Sequence, residues 1–192
     1  PVSGVSDVEA LPKPVKLSPE PKGAWRWLGT RTVVFEPEGR MPMATTYSVE
    51  ATADGEPTRF QFQTPPPKLV EAVPSGRDVS TRPVIGLGFD QRVPAEAVQA
   101  NLQVTAAGKP MAVRPATEAE IEADPAAKAM RHGAVEPSRQ VFFVPEAPLP
   151  TASAVVMVLA KGLPSAEGPR VTAQAQERRF DNTAGRVPHD NV

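Results

Sequence analysis

Residues 31–45, RTVVFEPEGRMPMAT, return later in the chain as residues 139–153, RQVFFVPEAPLPTAS. The two copies align without a gap and share these identities: Arg31/Arg139, Val33/Val141, Phe35/Phe143, Pro37/Pro145, Glu38/Glu146, Pro42/Pro150 and Ala44/Ala152. A spacing of roughly a hundred residues is typical of tandem domains, because solenoid repeats usually recur every ~20–50 residues. Repeated domains of this size are usually spacers or binding units, so the repeat favours a non-catalytic protein.

The composition narrows the fold class further. The 192 residues include 24 prolines, about 12 percent against a usual ~5 percent. Such dense proline interrupts helices and central strands, and it is tolerated at turns and sheet edges. Since 40% of the residues are hydrophobic and several segments alternate, a folded all-β protein is favoured over a disordered chain.

Charge and residue usage exclude several kinds of function. A formal net charge of -1 leaves no electrostatic footprint for nucleic acid. No apolar run reaches the ~18 residues that a transmembrane helix needs, so we expect no membrane insertion. The sequence contains no cysteine, which removes disulfides, thiolate metal sites and a cysteine nucleophile.

The alternation of apolar residues predicts strands in both halves of the chain. Residues 15–63 are interpreted as a meander of strands, in which Phe60 and Phe62 share one face. Tyr47 begins a strand shortly after a proline. Sandwich domains place a tyrosine corner at such a position, where the hydroxyl bonds the backbone upstream. The alternation therefore predicts a β-sandwich.

Residues 117–130 form the best helix candidate. Thr117 and Glu120 have the spacing of a capping box, and Pro125 predicts that the helix is split into two short pieces. This segment has no counterpart in the first half of the chain. Ahead of it, Ile85–Phe89 alternates large apolar residues with glycines, which indicates close approach of a neighbouring backbone.

The order of strands differs between the two halves. The second half has predicted strands at 68–73 and 84–89 ahead of the shared pattern, and the first half has none. Pro1–Val2 aligns instead with Arg92–Val93. We therefore expect the first domain to be incomplete at its N-terminus, and its gap to be filled by a segment from another chain, a neighbouring copy or the same precursor.

Several runs together resemble the N-terminal region of large bacterial alpha-2-macroglobulin-type proteins. They are residues 23–37 (GAWRWLGTRTVVFEP), 40–49 (RMPMATTYSV), 60–67 (FQFQTPPP), 115–121 (PATEAEI) and 163–176 (LPSAEGPRVTAQAQ). The resemblance covers most of the chain and implies that its modules are Ig-like sandwiches.

The expected architecture is all-β, with two tandem Ig-like β-sandwich domains. The first domain spans 1–65 and lacks its N-terminal strands. The second spans 66–181 and carries the helical insertion near 117–130, with a boundary at the three consecutive prolines after Thr64. Residues 182–192 form a tail typical of a disordered linker.

The resemblance also implies a function. Full-length members of that family are envelope-anchored protease traps with a cleavable bait region, and many use a thioester made by a Cys-x-Glu-Gln motif. With no cysteine, this chain carries no thioester, and no functional residue of the family maps onto it. The implied role is a non-catalytic structural segment of a protease inhibitor.

Location and partners follow from the same resemblance. The implied location is periplasmic or extracellular, at the bacterial cell envelope. The implied partners are other domains or fragments of the same precursor, and target proteases through the full-length protein. The alternative is an Ig-like repeat module of a cell-surface adhesion or surface-layer protein.

The sequence predicts no catalytic, cofactor-binding or metal-binding residue. His132 and His189 lie in polar, loop-like contexts and make a poor zinc set without cysteine. No Gly-x-Ser-x-Gly motif is present for a nucleophile. An acidic group opens the predicted helix, and it is interpreted as a solvated, dipole-compensating helix start rather than a calcium loop. Its members are Glu118, Glu120, Glu122 and Asp124.

Two tryptophans leave two interpretations open. Trp25 and Trp27 fall on one face of a strand, because strand side chains repeat every two residues. Packing in the domain core or at the domain junction is favoured, since large aromatics dominate burial in small sandwiches. The other interpretation is an exposed partner-binding stripe flanked by Arg26 and Arg31.

Overall fold

The chain folds as an all-β protein with a few short helices, as predicted. The computed structural model describes residues 14–29, 31–53 and 56–182. The chain divides into two compact units, residues 1–65 and 66–192. The predicted alignment of Pro1–Val2 and the predicted tail beyond residue 182 lie outside the described residues.

Unit 1 contains five described strands in two sheets. The strands are β1 (Val15–Ser18), β2 (Gly23–Leu28), β3 (Thr32–Pro37), β4 (Thr46–Ala53) and β5 (Glu56–Gln63). One sheet has the order β1-β4-β5 and the other pairs β2 with β3, all antiparallel. The predicted meander is wrong, because the chain changes sheet after β1 and again after β3. Local alternation marks each strand but carries no information on its partner.

The core of unit 1 lies between its two sheets. Leu17 from β1 and Tyr47 and Val49 from β4 are buried, and half-buried Trp25 and Phe35 from the second sheet pack against them. Side chains from both sheets therefore share one apolar cluster, which is the definition of a sandwich.

Unit 2 contains nine described strands and three α-helices. The strands are β6 (Leu69–Val73), β7 (Gly76–Val79), β8 (Ile85–Phe89), β9 (Leu102–Ala106), β10 (Lys109–Met111), β11 (Val113–Pro115), β12 (Gln140–Pro145), β13 (Ala154–Leu159) and β14 (Gln176–Asn182). The helices are α1 (Ala95–Asn101), α2 (Glu118–Ala123) and α3 (Pro125–Arg131), with a 3₁₀ turn at Pro137–Arg139.

The strand order of unit 2 is that of an Ig domain. One sheet runs β11-β12-β8-β6 and the other β10-β9-β13-β14-β7. With β6, β8, β9, β11, β12, β13 and β14 taken as strands A to G, these sheets contain the A-B-E-D and C-F-G sets of the Ig fold. Unit 2 is therefore an Ig-like β-sandwich. Its large core is lined by both sheets, including Leu87 and Phe89 from β8 and Met157 and Phe180 from the other sheet.

The helical insertion covers the outer face of one sheet. Ile121, Ala127 and Met130 form a second buried cluster with Phe142 and Val144 of β12. The predicted capping box is present, since Thr117 accepts a hydrogen bond from the Glu120 amide and the Glu120 side chain bonds back to the Thr117 amide. The predicted split into two pieces is also confirmed, because α2 ends before Pro125 opens α3.

The glycines of β8 make room for this helical layer. A Cβ built on Gly86 would lie 2.8 Å from atoms of Met130, Phe142 and Val73. A Cβ on Gly88 would lie 2.9 Å from the terminal methyl of Met130. The neighbours that approach the glycines closely are side chains, those of Met130, Phe142 and Val73 at Gly86, so the predicted approach of a backbone is wrong.

The repeated sequence adopts the same structure in both units. The Glu38 amide donates to the Lys22 carbonyl, as the Glu146 amide donates to the Ala112 carbonyl. Each copy of the repeat contains one strand, β3 in unit 1 and β12 in unit 2, and is followed directly by a strand of the other sheet, β4 or β13. By these pairings, β1 to β5 correspond to β9, β11, β12, β13 and β14.

Candidate functional site

In each unit, side chains donate hydrogen bonds to the carbonyl of a proline at the equivalent position of the repeat. In unit 1, the Pro42 carbonyl accepts hydrogen bonds from the Tyr47 hydroxyl at 3.0 Å and from the Thr64 hydroxyl at 2.9 Å. The predicted tyrosine corner is therefore confirmed. Thr64 also accepts a hydrogen bond from the Thr45 amide at 3.0 Å, so that its hydroxyl ties the end of β5 to the start of β4.

Unit 2 repeats this anchor with different residues. The Pro150 carbonyl accepts from the Ser153 hydroxyl at 2.8 Å and from the Asn182 side-chain amide. Asn182 Oδ1 accepts from the Ser153 amide at 2.7 Å, as Thr64 does from Thr45 in unit 1. Ala152 has φ 51°, a left-handed conformation that few alanines adopt.

Ala44, the equivalent of Ala152 in unit 1, has the same left-handed backbone conformation. Ala44 has φ 54° and is fully buried. The two units thus share a turn, an alanine with positive φ in that turn, and a proline carbonyl that accepts side-chain hydrogen bonds. These shared features stabilise the fold of each unit. The prolines and alanines of this turn can be recognised in the sequence because they repeat. Thr64 and Asn182 cannot, because they lie 22 and 32 residues from the prolines to which they bond.

The acidic residues at the start of α2 serve the helix. Glu120 accepts two hydrogen bonds from the Arg114 guanidinium, at 2.6 and 3.0 Å, and a further one from the Thr117 amide at 2.8 Å. The Arg114 hydrogen bonds, followed by the bond from the Thr117 backbone, lower the pKa of Glu120 to about 2. The group is therefore a fixed carboxylate and a poor proton donor near neutral pH.

A second acidic side chain is engaged at the surface. Glu122 lies 3.1 Å from Lys128 Nζ and 3.2 Å from His132 Nε2, and these partners, Lys128 first, lower its pKa. Within the described residues, no group of three or more His, Asp or Glu side chains is arranged to hold a metal ion. His189 lies outside the described residues.

A cleft of about 410 Å³ lies where α2 and α3 meet β11 and β12, and its polar groups hold the fold together. One oxygen of Asp124 caps α3 by accepting from the Ala126 and Ala127 amides, at 2.9 and 3.0 Å. The other accepts from the Val84 amide at 3.1 Å. Arg114 and Glu120 pair on the wall of the same cleft. These polar contacts, rather than a ligand site, are what the side chains of the cleft provide, and they hold the helical insertion on the sheet.

The two tryptophans of unit 1 are half-buried. The Trp25 ring lies 5.1 Å from that of Phe35 and belongs to the core cluster of the unit. Trp27 Nε1 is buried and has no hydrogen-bond partner among the described residues. Between them, exposed Arg26 forms an ion pair with Glu36. Packing against the unit 1 core thus accounts for Trp25.

One edge of β3 has no partner strand among the described residues. Among the described residues, β3 pairs only with β2, whereas its equivalent β12 pairs with β11 on one side and β8 on the other. The bond from the Glu38 amide to Lys22 shows that even-numbered residues of β3 face β2. Since alternate residues of a strand face opposite edges, the backbone groups of Val33 and Phe35 point to the unpaired edge.

Among the described strands, β5 pairs with β4 alone. Phe62 lies opposite Tyr47, stacks on its ring at 5.0 Å and is 39% exposed. Its equivalent in unit 2, Phe180, pairs with Gly76 of β7 and is 2% exposed. Within the part of unit 1 that the structure describes, β3 and β5 therefore have edges whose equivalents in unit 2 are covered, and these edges form its candidate interaction site.

No helix in residues 14–29, 31–53 and 56–182 is long and apolar enough to cross a membrane. No protein-family model and no curated protein matches the chain. Among solved structures, the chain is similar to Sidekick-1 immunoglobulin domains 1–4, at 13% sequence identity and a TM-score of 0.23. The match covers 88% of this chain and 40% of that one, so this chain spans less than half of its length.

Proposed function

We propose that this chain is a non-catalytic structural segment of a bacterial alpha-2-macroglobulin-like protease inhibitor of the cell envelope. The single observation that carries the proposal is the shared anchor of the two units: the same turn, left-handed alanine and bonded proline carbonyl occur in both. The repeated features are those that stabilise the fold, as in arrays of Ig-like domains. The polar clusters around Glu120, Glu122 and Asp124 form helix caps and surface ion pairs.

The resemblance of several runs to the N-terminal region of that family supports the finer assignment. In this role the two units space and orient neighbouring parts of the inhibitor, and contacts with target proteases are made by the full-length protein. The absence of cysteine places any thioester outside these 192 residues. An adhesin or surface-layer module is the competing proposal for the same Ig-like array.

Protease capture distinguishes these proposals. We expect the purified chain neither to hydrolyse peptides nor to form a covalent, methylamine-sensitive conjugate with trypsin, because it offers no thioester. The protein encoded by the complete reading frame is expected to leave bound trypsin active on a small peptide substrate and inactive on a large protein substrate. Conjugation by the chain alone, or a full-length protein without this size discrimination, would contradict the proposal.

A further inference from the structure

We propose that the helical insertion of unit 2, residues 116–139, is a lid that opens and closes as one piece over the outer face of a sheet while the sandwich beneath it stays folded. The side chain of Asp124 is the latch of this lid. The insertion contains α2, α3 and the 3₁₀ turn, and it supplies no strand to either sheet. The strand pairing of unit 2 therefore does not require the lid to be closed.

The lid and the sandwich bury separate apolar clusters. The large core between the two sheets of unit 2 contains no residue of the lid. The lid supplies Ile121, Ala127 and Met130 to the second cluster, on the outer face of the sheet. Regions held by few buried apolar side chains are those that open at low free energy while the rest of a protein stays folded. The lid is therefore expected to open without disturbing the core between the sheets.

Unit 1 forms its sandwich without such a lid. There β2 ends at Leu28 and β3 begins at Thr32, whereas the whole insertion separates the equivalent strands β11 and β12 in unit 2. The face beneath also differs, because the repeat aligns buried Val144 with Glu36, which is exposed and forms an ion pair with Arg26. The shared frame therefore does not need a lid, and the lid is present in the unit whose outer face is apolar.

One carboxylate connects both helices of the lid to the sheet. Asp124 lies between α2 and α3, and its amide donates to the Glu120 carbonyl at the end of α2. Its Oδ1 caps α3 by accepting from the Ala126 and Ala127 amides. Its Oδ2 accepts from the Val84 amide, 3.1 Å away and 40 residues earlier in the chain, next to the start of β8. Loss of the bond to Val84 would therefore loosen the lid while its helix cap remains.

Opening of the lid uncovers an apolar surface on unit 2. The Met130 side chain lies over Gly86 and Gly88 of β8, and Phe142 and Val144 of β12 pack in the same cluster. When the lid leaves, the backbone of β8 at the two glycines and the outer side chains of β12 become accessible to solvent. The lid is inferred from the packing of unit 2 alone, so it does not depend on the proposed protease inhibitor.

Amide hydrogen exchange of the complete chain, measured at several urea concentrations below the unfolding transition, tests the lid. The reporters are the amides of Ile121, Lys128 and His132, which bond within the helices, and the amide of Val84, which bonds to Asp124. We expect these four amides to exchange through one shared opening. Its urea dependence should be weaker than that of the amides of β13, a strand paired on both sides, because opening the lid exposes less surface than global unfolding.

Asp124→Asn tests the latch. Asparagine keeps an oxygen for the α3 cap, but its amide nitrogen is a donor and cannot accept from the Val84 amide. We expect exchange at Ile121, Lys128 and Val84 to become about tenfold faster together, with β13 unchanged, because one hydrogen bond to a charged group is lost. Asp90→Asn is the matched control, since Asp90 accepts from the Lys68 amide elsewhere in unit 2, and it should leave the lid unchanged.

Three results would each overturn the proposal. The first is helix amides that exchange only together with β13, which would make the lid part of the global unfolding unit. The second is two helices that open independently of each other in the unmodified chain. The third is an Asp124→Asn effect that is absent, confined to α3, or spread equally over all of unit 2.

Discussion

Replacing Tyr47 by phenylalanine removes one hydroxyl from the anchor of unit 1 and leaves its packing intact. The ring is 1% exposed and stacks on Phe62, so the Tyr47→Phe ring stays in place. The lost hydrogen bond to the Pro42 carbonyl, 3.0 Å long, is worth about 1 kcal/mol of unfolding free energy. The cost stays near that value because Thr64 still donates to the same carbonyl.

The shared carbonyl makes a double-mutant cycle informative. Thr64→Val removes the second donor to the Pro42 carbonyl together with the acceptor for the Thr45 amide. In the Tyr47→Phe/Thr64→Val double variant, the carbonyl loses both side-chain donors. We therefore expect the double variant to be less stable than the sum of the single effects by about 0.5–1 kcal/mol.

Urea unfolding followed by tryptophan fluorescence measures these effects in the right unit, because Trp25 and Trp27 are the only tryptophans of the chain and both lie in unit 1. Ser48→Ala is the matched control. It removes a hydroxyl from the same strand, where its hydrogen bond with Gln61 is exposed, and should change stability by less than about 0.5 kcal/mol. A Tyr47→Phe effect no larger than this control, or additive single effects, would refute the reasoning.

Two further predictions concern unit 2. Gly86→Ala should destabilise unit 2 by about 1–3 kcal/mol through overpacking, because three side chains surround the added methyl. Gly88→Ala should destabilise it less, because the flexible end of Met130 can move away. Urea unfolding followed by circular dichroism would measure both changes in unfolding free energy. The Arg114–Glu120 bond depresses the Glu120 pKa, so its stabilisation of α2 is complete above pH about 4.5 and is lost as pH falls toward about 2. Amide exchange in α2 should show this loss in the native chain and a flatter response in Glu120→Gln.

Much of the fold could be predicted because several signals are local. The alternation around Tyr47, the proline that precedes it and the Thr117–Glu120 spacing each act within a few residues. The repeat then placed corresponding strands in both units without any knowledge of their partners. Elements that depend on short-range chemistry were therefore recognised from sequence.

The remainder depends on contacts between distant residues. β7 was missed, because Gly76–Val79 is short and polar and passes through Asp78 with φ 62°. Its status as a strand comes from parallel pairing with β14, a hundred residues away. The meander was mispredicted for the same reason, since an Ig domain switches sheets and alternation is identical on either sheet. Thr64 and Asn182 could not be predicted for the same reason, because their hydrogen bonds to the proline carbonyls depend on which strand ends come together in the fold.

Amide hydrogen exchange on the isolated chain tests the central claim most directly, namely that the two units share one Ig-like frame and that, among the described residues, no strand pairs with the outer edge of β3. The account predicts slow exchange at Val141 and Phe143, which bond to β8, and at Val34, which faces β2. It predicts fast exchange, near the rate of an unfolded chain, at Val33 and Phe35. Protection of Val33 and Phe35 equal to that of Val141 and Phe143 would contradict it.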